Sequence, residues 1–167
     1  MFGAVVVSGA FPVTAIAGQM SQMAVASLLR LANGSDPAAR LSATQELFRR
    51  GPAILPQLER AGSKPMSTVS PARGDVIYTL LRGHLSTESA APDSFGLQVD
   101  ANLTASDVQR MGLAHGFRLI PYSQCRPDVS PICYVHLLPG RNLAAVLREI
   151  LTTEPRVSTV NLNYVAR

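Results

Sequence analysis

The spacing of apolar residues changes along the chain. Through residues 18–83 they recur every three or four positions, which predicts amphipathic helices. Through residues 95–167 they alternate with polar residues in several short runs, which predicts β-strands with helices between them. The stretch 84–94 is rich in Ser, Thr, Asp and Pro and contains few apolar residues, so we interpret it as a linker between two regions.

Four helices are predicted in the helical region, residues 18–83. The first covers residues 19–33, and the second follows Asp36, a typical N-cap residue with Pro37 at the first helical position. A third, shorter helix is predicted to begin at Pro52 and a fourth at Pro71. Short amphipathic helices separated by Gly and Pro indicate an array of helical hairpins.

Residues 31–60 resemble a single HEAT-like repeat unit. The matching features are the capped start at Asp36, an Ala-rich helix, the break at Gly51 and Pro52, and a Leu-rich return helix. Such repeats bury their apolar faces by stacking, and three or more are normally needed for stability. Because at most one and a half units are present, this segment must pack on another part of the protein. A small bundle of four short helices is an equally good interpretation.

The mixed region, residues 95–167, has the order strand, helix, strand, strand, helix, strand. The predicted strands cover residues 95–101, 117–122, 132–138 and 157–165, and the helices follow the caps Thr104 and Asn142. This order is the split βαβ arrangement, which forms a four-stranded antiparallel sheet with both helices on one side. We therefore predict an α+β protein in which a ferredoxin-like βαββαβ domain is preceded by a small all-α helical hairpin region.

Residues 1–17 are uncharged and largely apolar, which is typical of an export signal. Ala15, Ile16 and Ala17 supply the small-x-small pattern of a signal-peptidase site, so the mature chain is expected to begin near Gly18. A positively charged start is missing, which leaves open a true start upstream of Met1 or a buried helix in a cytosolic protein. Polar residues interrupt the apolar run before the length of a membrane span is reached. We expect a periplasmic or secreted protein with no stable membrane span.

The chain has 2 cysteines, and they bracket a loop between two predicted strands. In an exported protein, Cys125 and Cys133 are expected to form a disulfide across the mouth of this hairpin. Two unrelated thiols in a cytosolic protein are the alternative. Neither cysteine has the neighbours that a zinc site requires.

The formal net charge is +4, but the 15 basic residues are scattered along the chain and only Lys64 is a lysine. Nucleic-acid binding usually requires a clustered basic stripe. RNA-binding sheets of similar topology also carry a Gly–aromatic pattern on the third strand, and residues 132–138 lack it. We predict no nucleic-acid partner. A small-molecule sensor domain of similar topology stays open.

We identify no catalytic residues, no metal ligands and no cofactor site in the sequence. His84, His115 and His136 have no metal-ligand spacing and no neighbouring pair of carboxylates. A Gly-x-Ser-x-Gly elbow and a glycine-rich phosphate loop are both missing. The sequence therefore favours a protein-binding role over an enzyme.

The mixed region, residues 95–167, resembles the propeptides of subtilisin-like serine proteases and the inhibitor domains related to them. The resemblance lies in the strand Ile132–Leu138 with the turn Pro139–Gly140, in the helix Leu143–Leu151, and in Glu154–Tyr164 with its Pro and final Asn-Tyr. In that family the sheet packs on the protease, and the segment after the last strand enters the active-site cleft like a substrate.

The resemblance implies a protease-contacting tail at the end of this chain. Its residues are Asn163, Tyr164, Val165, Ala166 and Arg167. Because no protease domain follows Arg167, we expect an inhibitor or folding helper that acts in trans on a subtilisin-like protease. The alternatives are a non-catalytic scaffold module of the cell envelope and, for the tail, a core Tyr164 followed by a frayed end.

Overall fold

A computed structural model of the chain describes residues 18–66, 71–83, 85, 90–120 and 125–164. The predicted export signal, residues 1–17, lies outside the described residues. The protein belongs to the α+β class, as predicted, with helices in the first half and a four-stranded antiparallel sheet in the second. No helix in the described ranges is long and apolar enough to cross a membrane.

Six α-helices and four strands make up the described parts of the chain. The helices are α1 (Val25–Ala32), α2 (Pro37–Arg50), α3 (Leu55–Arg60), α4 (Arg73–Arg82), α5 (Ala105–His115) and α6 (Leu143–Thr153). The strands are β1 (Ala90–Val99), β2 (Phe117–Leu119), β3 (Ile132–Leu137) and β4 (Val157–Tyr164). A 3₁₀ turn, Gly51–Ile54, joins α2 to α3.

The N-caps that the sequence predicts are confirmed. The Asp36 carboxylate accepts hydrogen bonds from two backbone N–H groups in the first turn of α2. Thr104 and Asp107 form a capping box at the start of α5, and the Asn142 side chain caps α6. These local bonds explain why the three helices begin where the sequence indicates.

The first predicted helix, residues 19–33, is wrong in its N-terminal part, because α1 begins only at Val25. The Arg50 guanidinium, reaching from the end of α2, donates to the carbonyls of Met20, Ser21 and Met23 at 3.1, 3.1 and 2.7 Å. These carbonyls are thereby drawn to Arg50, and residues 18–24 form a short helical piece and a turn instead. A contact distant in sequence overrides the local helical pattern.

The sheet has the strand order β2-β3-β1-β4, and every neighbouring pair is antiparallel. In the centre, Leu97 of β1 lies opposite Cys133 of β3 and Val160 of β4. All three side chains are buried, so one face of the sheet packs on the core. The outer strands of this sheet are β2 and β4.

The predicted linker, residues 84–94, is wrong over its last part, because β1 begins at Ala90 rather than at Phe95. Ala90 pairs with Tyr164, and Ser94 pairs with His136. Neighbouring strands thus satisfy the backbone of a segment whose composition favours a loop. β1 also ends at Val99, two residues earlier than predicted, and β2 ends at Leu119 where residues 117–122 were expected.

The helical region packs directly on the mixed region. Helix α2 contacts α6, and α4 contacts both α6 and β4. Buried apolar side chains from both regions belong to one hydrophobic cluster, which includes Leu47 and Ile77 as well as Phe95 and Ile150. The expectation that the helical unit must pack on another part of the protein is confirmed.

Candidate interaction site at the edge strand

The predicted tail follows from the edge strand β4. Asn163 and Tyr164 are the last two residues of β4, and the backbone of Tyr164 pairs with Ala90 of β1. Val165, Ala166 and Arg167 lie outside the described residues. The first part of the tail therefore belongs to an edge strand of the sheet.

The core face of the sheet fixes how β4 is oriented. Val157, Val160 and Leu162 are at most 3% exposed and lie on this face. Leu162 is paired with Phe95, whose ring makes an edge-on contact with Phe117 of β2. Because side chains alternate along a strand, Thr159 and Asn161 lie on the opposite face from Val160 and Leu162. A register irregularity between Gln98 and Val99 allows Val157, the partner of Val99, to share the core face as well.

Arg73, in the first turn of α4, holds the start of β4. Its guanidinium is buried and donates to the carbonyls of Leu151, Val157 and Ser158 at 2.5, 2.7 and 3.2 Å. It also donates to the hydroxyl of Thr44 at 2.8 Å. One side chain of the helical region thus binds the end of α6 and the start of β4 together.

Burial, reinforced by the nearby positive charge of Arg40, lowers the pKa of Arg73 to about 9. This value is above neutral pH, so the guanidinium stays charged and donates to all four acceptors. The sequence pattern does not mark Arg73, since arginine at the start of a helix is ordinarily solvent-exposed. Its role follows only from the packing of α4 against β4.

Further polar contacts surround the start of β4. Arg40 of α2 donates to the carbonyl of Pro155 at 2.6 Å and lies 3.7 Å from a carboxylate oxygen of Asp100. The hydroxyl of Thr159 donates to the carbonyl of Pro71 at 3.1 Å. These contacts involve residues 155–159, whereas the predicted tail is at the opposite end of the strand.

The predicted disulfide is confirmed: Cys125 and Cys133 are bonded, with their Cα atoms 4.7 Å apart. Cys133 is on the core face of β3 and is fully buried. The bond ties the loop that begins at Cys125 to the centre of the sheet, where Leu97 is the cross-strand neighbour. The disulfide therefore cross-links two segments of the mixed region.

The other face of the sheet is polar and aromatic. Tyr134 and Asn161 flank Gly96 there, and Arg118 lies opposite His136. Asn161 is buried, and among the residues that the structure describes its side-chain oxygen has no hydrogen-bond partner; Nδ1 of His136 likewise has none there. This face offers hydrogen-bonding groups and an aromatic ring that is 40% exposed, which suits recognition of a partner.

Two of the three histidines lie on different elements, His115 at the end of α5 and His136 in β3. Both ring nitrogens of His115 contact carboxylates, and His84 lies outside the described residues. Among the residues that the structure describes, no group of three or more His, Cys, Asp or Glu side chains is arranged to hold a metal ion. His115 is therefore engaged by Glu149 and Glu154 as a bridge between α5 and the end of α6.

Comparisons of the chain with protein-family models, with curated proteins and with solved structures give no match. The likeness to subtilisin propeptides and to a HEAT-like unit therefore stays a prediction made from the residues. We therefore base the proposed function on the geometry of the edge strand and of the sheet.

Proposed function

We propose that this chain is an exported, non-catalytic protein-binding protein that inhibits a subtilisin-like serine protease or assists its folding. The contact is made by the end of β4 and the residues that follow it. The observation that carries the proposal is the position of β4, an edge strand whose last residues are Asn163 and Tyr164.

The topology supports a ferredoxin-like domain of the propeptide type. The element order is β1-α5-β2-β3-α6-β4, and the sheet order is β2-β3-β1-β4 with antiparallel neighbours. This combination is the one expected for a split βαβ fold, in which the first and third strands occupy the centre of the sheet. We propose this fold assignment together with the function.

An edge strand provides a physical route to protease binding. An extended segment at a sheet edge can pair with the backbone of a substrate cleft, so main-chain hydrogen bonds give affinity and alternate side chains give specificity. Residues 155–159 of this chain are held by Arg40, Arg73 and Pro71. These contacts hold the start of β4, and the pair between Tyr164 and Ala90 holds its end, so the strand is already formed and binding costs less conformational entropy.

Export agrees with the disulfide. Disulfides persist in oxidising compartments and are rare in the cytosol, so the bond between Cys125 and Cys133 supports a periplasmic or secreted location. Thiol labelling of protein freshly isolated from its native cells tests this step. We expect both thiols to be blocked before reduction, and free thiols in such protein would place it in the cytosol.

Titration of the full chain against a purified subtilisin-type protease tests the function. We compare the intact chain with a version that lacks residues 165–167, because this deletion keeps the Ala90–Tyr164 pair of the sheet. The matched control is Leu113→Ser, which changes an 80% exposed apolar residue of α5.

We expect the intact chain and the control to inhibit the protease and the truncated chain to lose inhibition by about tenfold or more. A longer deletion, of residues 164–167, should abolish the inhibition that remains. If the intact chain neither binds nor inhibits several such proteases, the proposal is wrong while the fold assignment is unaffected.

A scaffold module of the cell envelope is the second candidate. The observation that favours it is the packing between the two regions, whose buried apolar side chains belong to one hydrophobic cluster. Isolation of a stable complex with a non-protease envelope protein, unchanged by deletion of residues 164–167, would select this candidate.

A further inference from the structure

The disulfide joins two cysteines whose surroundings differ. Cys133 is in the middle strands of the sheet and is fully buried, whereas Cys125 retains 7% exposure. Cys125 also lines a surface cavity of about 380 Å³. One residue of the bonded pair therefore borders a cavity at the surface, and the other lies in the core.

This cavity lies between two loops of the mixed region. One wall is formed by residues 101–105, which connect β1 to α5, and the other by residues 125–128. Its volume is within the range of small-molecule sites, about 300–1,000 Å³. Arg126 and Asp128 pair at 3.2 Å on the second wall, so their charges balance and the wall does not repel an anionic thiolate. The cavity can therefore admit a low-molecular-weight thiol.

Access decides which sulfur of the disulfide a thiol can attack. Exchange begins when a thiolate reaches one of the two sulfurs and forms a mixed disulfide with it. Cys133 lies opposite Leu97, and both residues are fully buried in the close-packed core. An attack on Cys133 would have to displace core side chains, whereas an attack on Cys125 starts from the cavity.

We propose that Cys125 is the exchange-active residue of this disulfide, through which low-molecular-weight thiols reduce the bond in the folded protein. The attacking thiolate forms a bond to Sγ of Cys125 while the bond between Cys125 and Cys133 breaks. Sγ of Cys133 leaves with the electron pair and takes up a proton from water. A second thiolate cleaves the mixed disulfide, which releases the Cys125 thiol and leaves the reagent oxidised by two electrons.

The core limits how fast this exchange proceeds. A thiolate at Cys133 would belong to the hydrophobic cluster, which disfavours its charge and makes Cys133 a poor leaving group. Exchange should therefore be slower than at a disulfide in water. Cys133 should also attack the mixed disulfide and restore the bond, so that reduction is complete only when the thiol is in excess.

Reduction acts far from the proposed protease contact. It releases the loop that forms one wall of the cavity from Cys133, while the bond from the N–H of Val99 to the carbonyl of Pro131 connects that loop to the end of β1. Tyr164 pairs with Ala90, at the other end of β1. The exchange site thus goes beyond the proposed function and does not depend on it.

Reduction of the full chain by dithiothreitol tests whether the folded protein reacts. The rate is measured by alkylating the released thiols, without urea and at urea concentrations below the unfolding transition. We expect the rate to change by less than about twofold per molar urea. If the bond is reached only in the unfolded chain, the rate should rise about tenfold per molar urea, because the unfolded population rises by about this factor. Such a rise would overturn the proposal.

A bulky side chain in the cavity tests the route. Ala105 is exposed, lies in the first turn of α5 and lines the cavity, so Ala105→Phe should slow the reduction about tenfold. The matched control Ala38→Phe adds the same ring at an exposed position in the first turn of α2 and should follow the wild type. Equal rates in all three proteins would mean that the thiol does not enter through the cavity, which contradicts the proposal.

Single-cysteine variants identify the reactive sulfur. Cys133→Ser leaves only the thiol of Cys125, and Cys125→Ser leaves only the thiol of Cys133. Oxidised glutathione should form a mixed disulfide about tenfold faster with Cys125 than with Cys133. Equal rates in folded variants, or a faster reaction at Cys133, would overturn the assignment. Because these variants can fail to fold, the urea dependence of the wild type is the deciding measurement.

Discussion

The two regions of the molecule are stabilised by different means. The mixed region has a sheet, a disulfide and fully buried rings such as Phe95 and Phe117. The helical region has short helices, and it depends on buried arginines that reach across to the other region. Arg40 and Arg73 are 4% and 2% exposed, and both donate to backbone carbonyls of the mixed region.

This difference shows where a short helical unit obtains its stability. A group of short helices that is not repeated cannot bury its apolar faces by stacking on copies of itself. Here α2 and α4 bury apolar side chains against α6 and β4, and we call this contact between the two regions the seam. The guanidinium of Arg73 donates hydrogen bonds to backbone carbonyls there. The seam contains the buried guanidinium of Arg73, and the apolar cluster is continuous between the two regions. The two regions should therefore unfold together.

The largest expected effect comes from Arg73→Ala. The substitution leaves the carbonyls of Leu151 and Val157 and the hydroxyl of Thr44 without their donor in a buried site. Each unsatisfied buried group costs about 1–3 kcal/mol, so we expect a loss of about 4 kcal/mol in the free energy of unfolding. Denaturant titration followed by circular dichroism measures it.

The matched control is Arg82→Ala, which removes an exposed arginine at the other end of the same helix. It should change the free energy of unfolding by less than about 0.5 kcal/mol. Equal losses in the two variants would mean that the seam does not depend on Arg73 and would break the contrast between the regions.

Reduction of the disulfide should have the next largest effect. The bond between Cys125 and Cys133 closes a short loop, with a sequence separation of 8, and its loss should cost about 2–3 kcal/mol through the greater entropy of the unfolded chain. Denaturant midpoints with and without a reductant measure this. A double variant, Cys125→Ala with Cys133→Ala, should be insensitive to the reductant.

This experiment also sharpens the comparison between the regions. If they unfold together, reduction lowers the midpoints of helical and aromatic signals equally, although the disulfide lies only in the mixed region. Two separate midpoints, of which only one moves, would show that the seam is weaker than the contacts of Arg73 indicate.

The sequence predicted the parts of this fold that are determined locally. The caps Asp36, Thr104 and Asn142 each satisfy N–H groups within their own helix, so a few adjacent residues are sufficient to locate the helix start. The alternation of apolar and polar residues also located β3 and β4, whose bounds lie within the predicted ranges 132–138 and 157–165. The disulfide was also predictable, because its partners are the only cysteines.

The predictions are wrong where a residue far away in the sequence determines the local structure. The Arg50 side chain donates hydrogen bonds to backbone carbonyls that precede α1, and α1 begins later than predicted. Because β1 pairs with β3 and β4, it begins as early as Ala90. The seam formed by Arg73 and the bridge formed by His115 have no periodic signal at all, because each joins elements far apart in the chain. Of the predicted tail, only Asn163 and Tyr164 are located, and its contact with a protease is a proposal.

The next effect concerns charge inside the helical region. Glu46 is 7% exposed and accepts hydrogen bonds from Arg49 and Arg50. The bonds from Arg49 and then from Arg50 outweigh the opposing effect of burial and lower the pKa of Glu46 to about 2. A lowered carboxyl pKa stabilises the fold above the carboxyl's usual value and loses that contribution as pH falls toward 2.

We therefore expect Glu46→Gln to remove about 1 kcal/mol at neutral pH, allowing for solvent around Arg49. It should also flatten the loss of stability between about pH 4.5 and pH 2. Asp93→Asn, at an exposed position in β1, is the control and should leave the acid profile unchanged. An acid profile that is the same in Glu46→Gln and the wild type would contradict this prediction.

The smallest effect is expected from Arg148, the exposed counterpart of Arg73 at the seam. Its guanidinium carbon lies 5.0 Å from the centre of the Phe48 ring, so it joins α6 to α2 by a cation–π contact. At an exposed site such a contact contributes about 0.5–1 kcal/mol. A double-mutant cycle of Arg148→Ala and Phe48→Leu should give a coupling energy of about 0.5 kcal/mol. A coupling as large as the loss in Arg73→Ala would mean that buried hydrogen bonds do not set the strength of the contact between the regions, because Arg73 is buried and hydrogen-bonded whereas Arg148 is exposed and makes a cation–π contact.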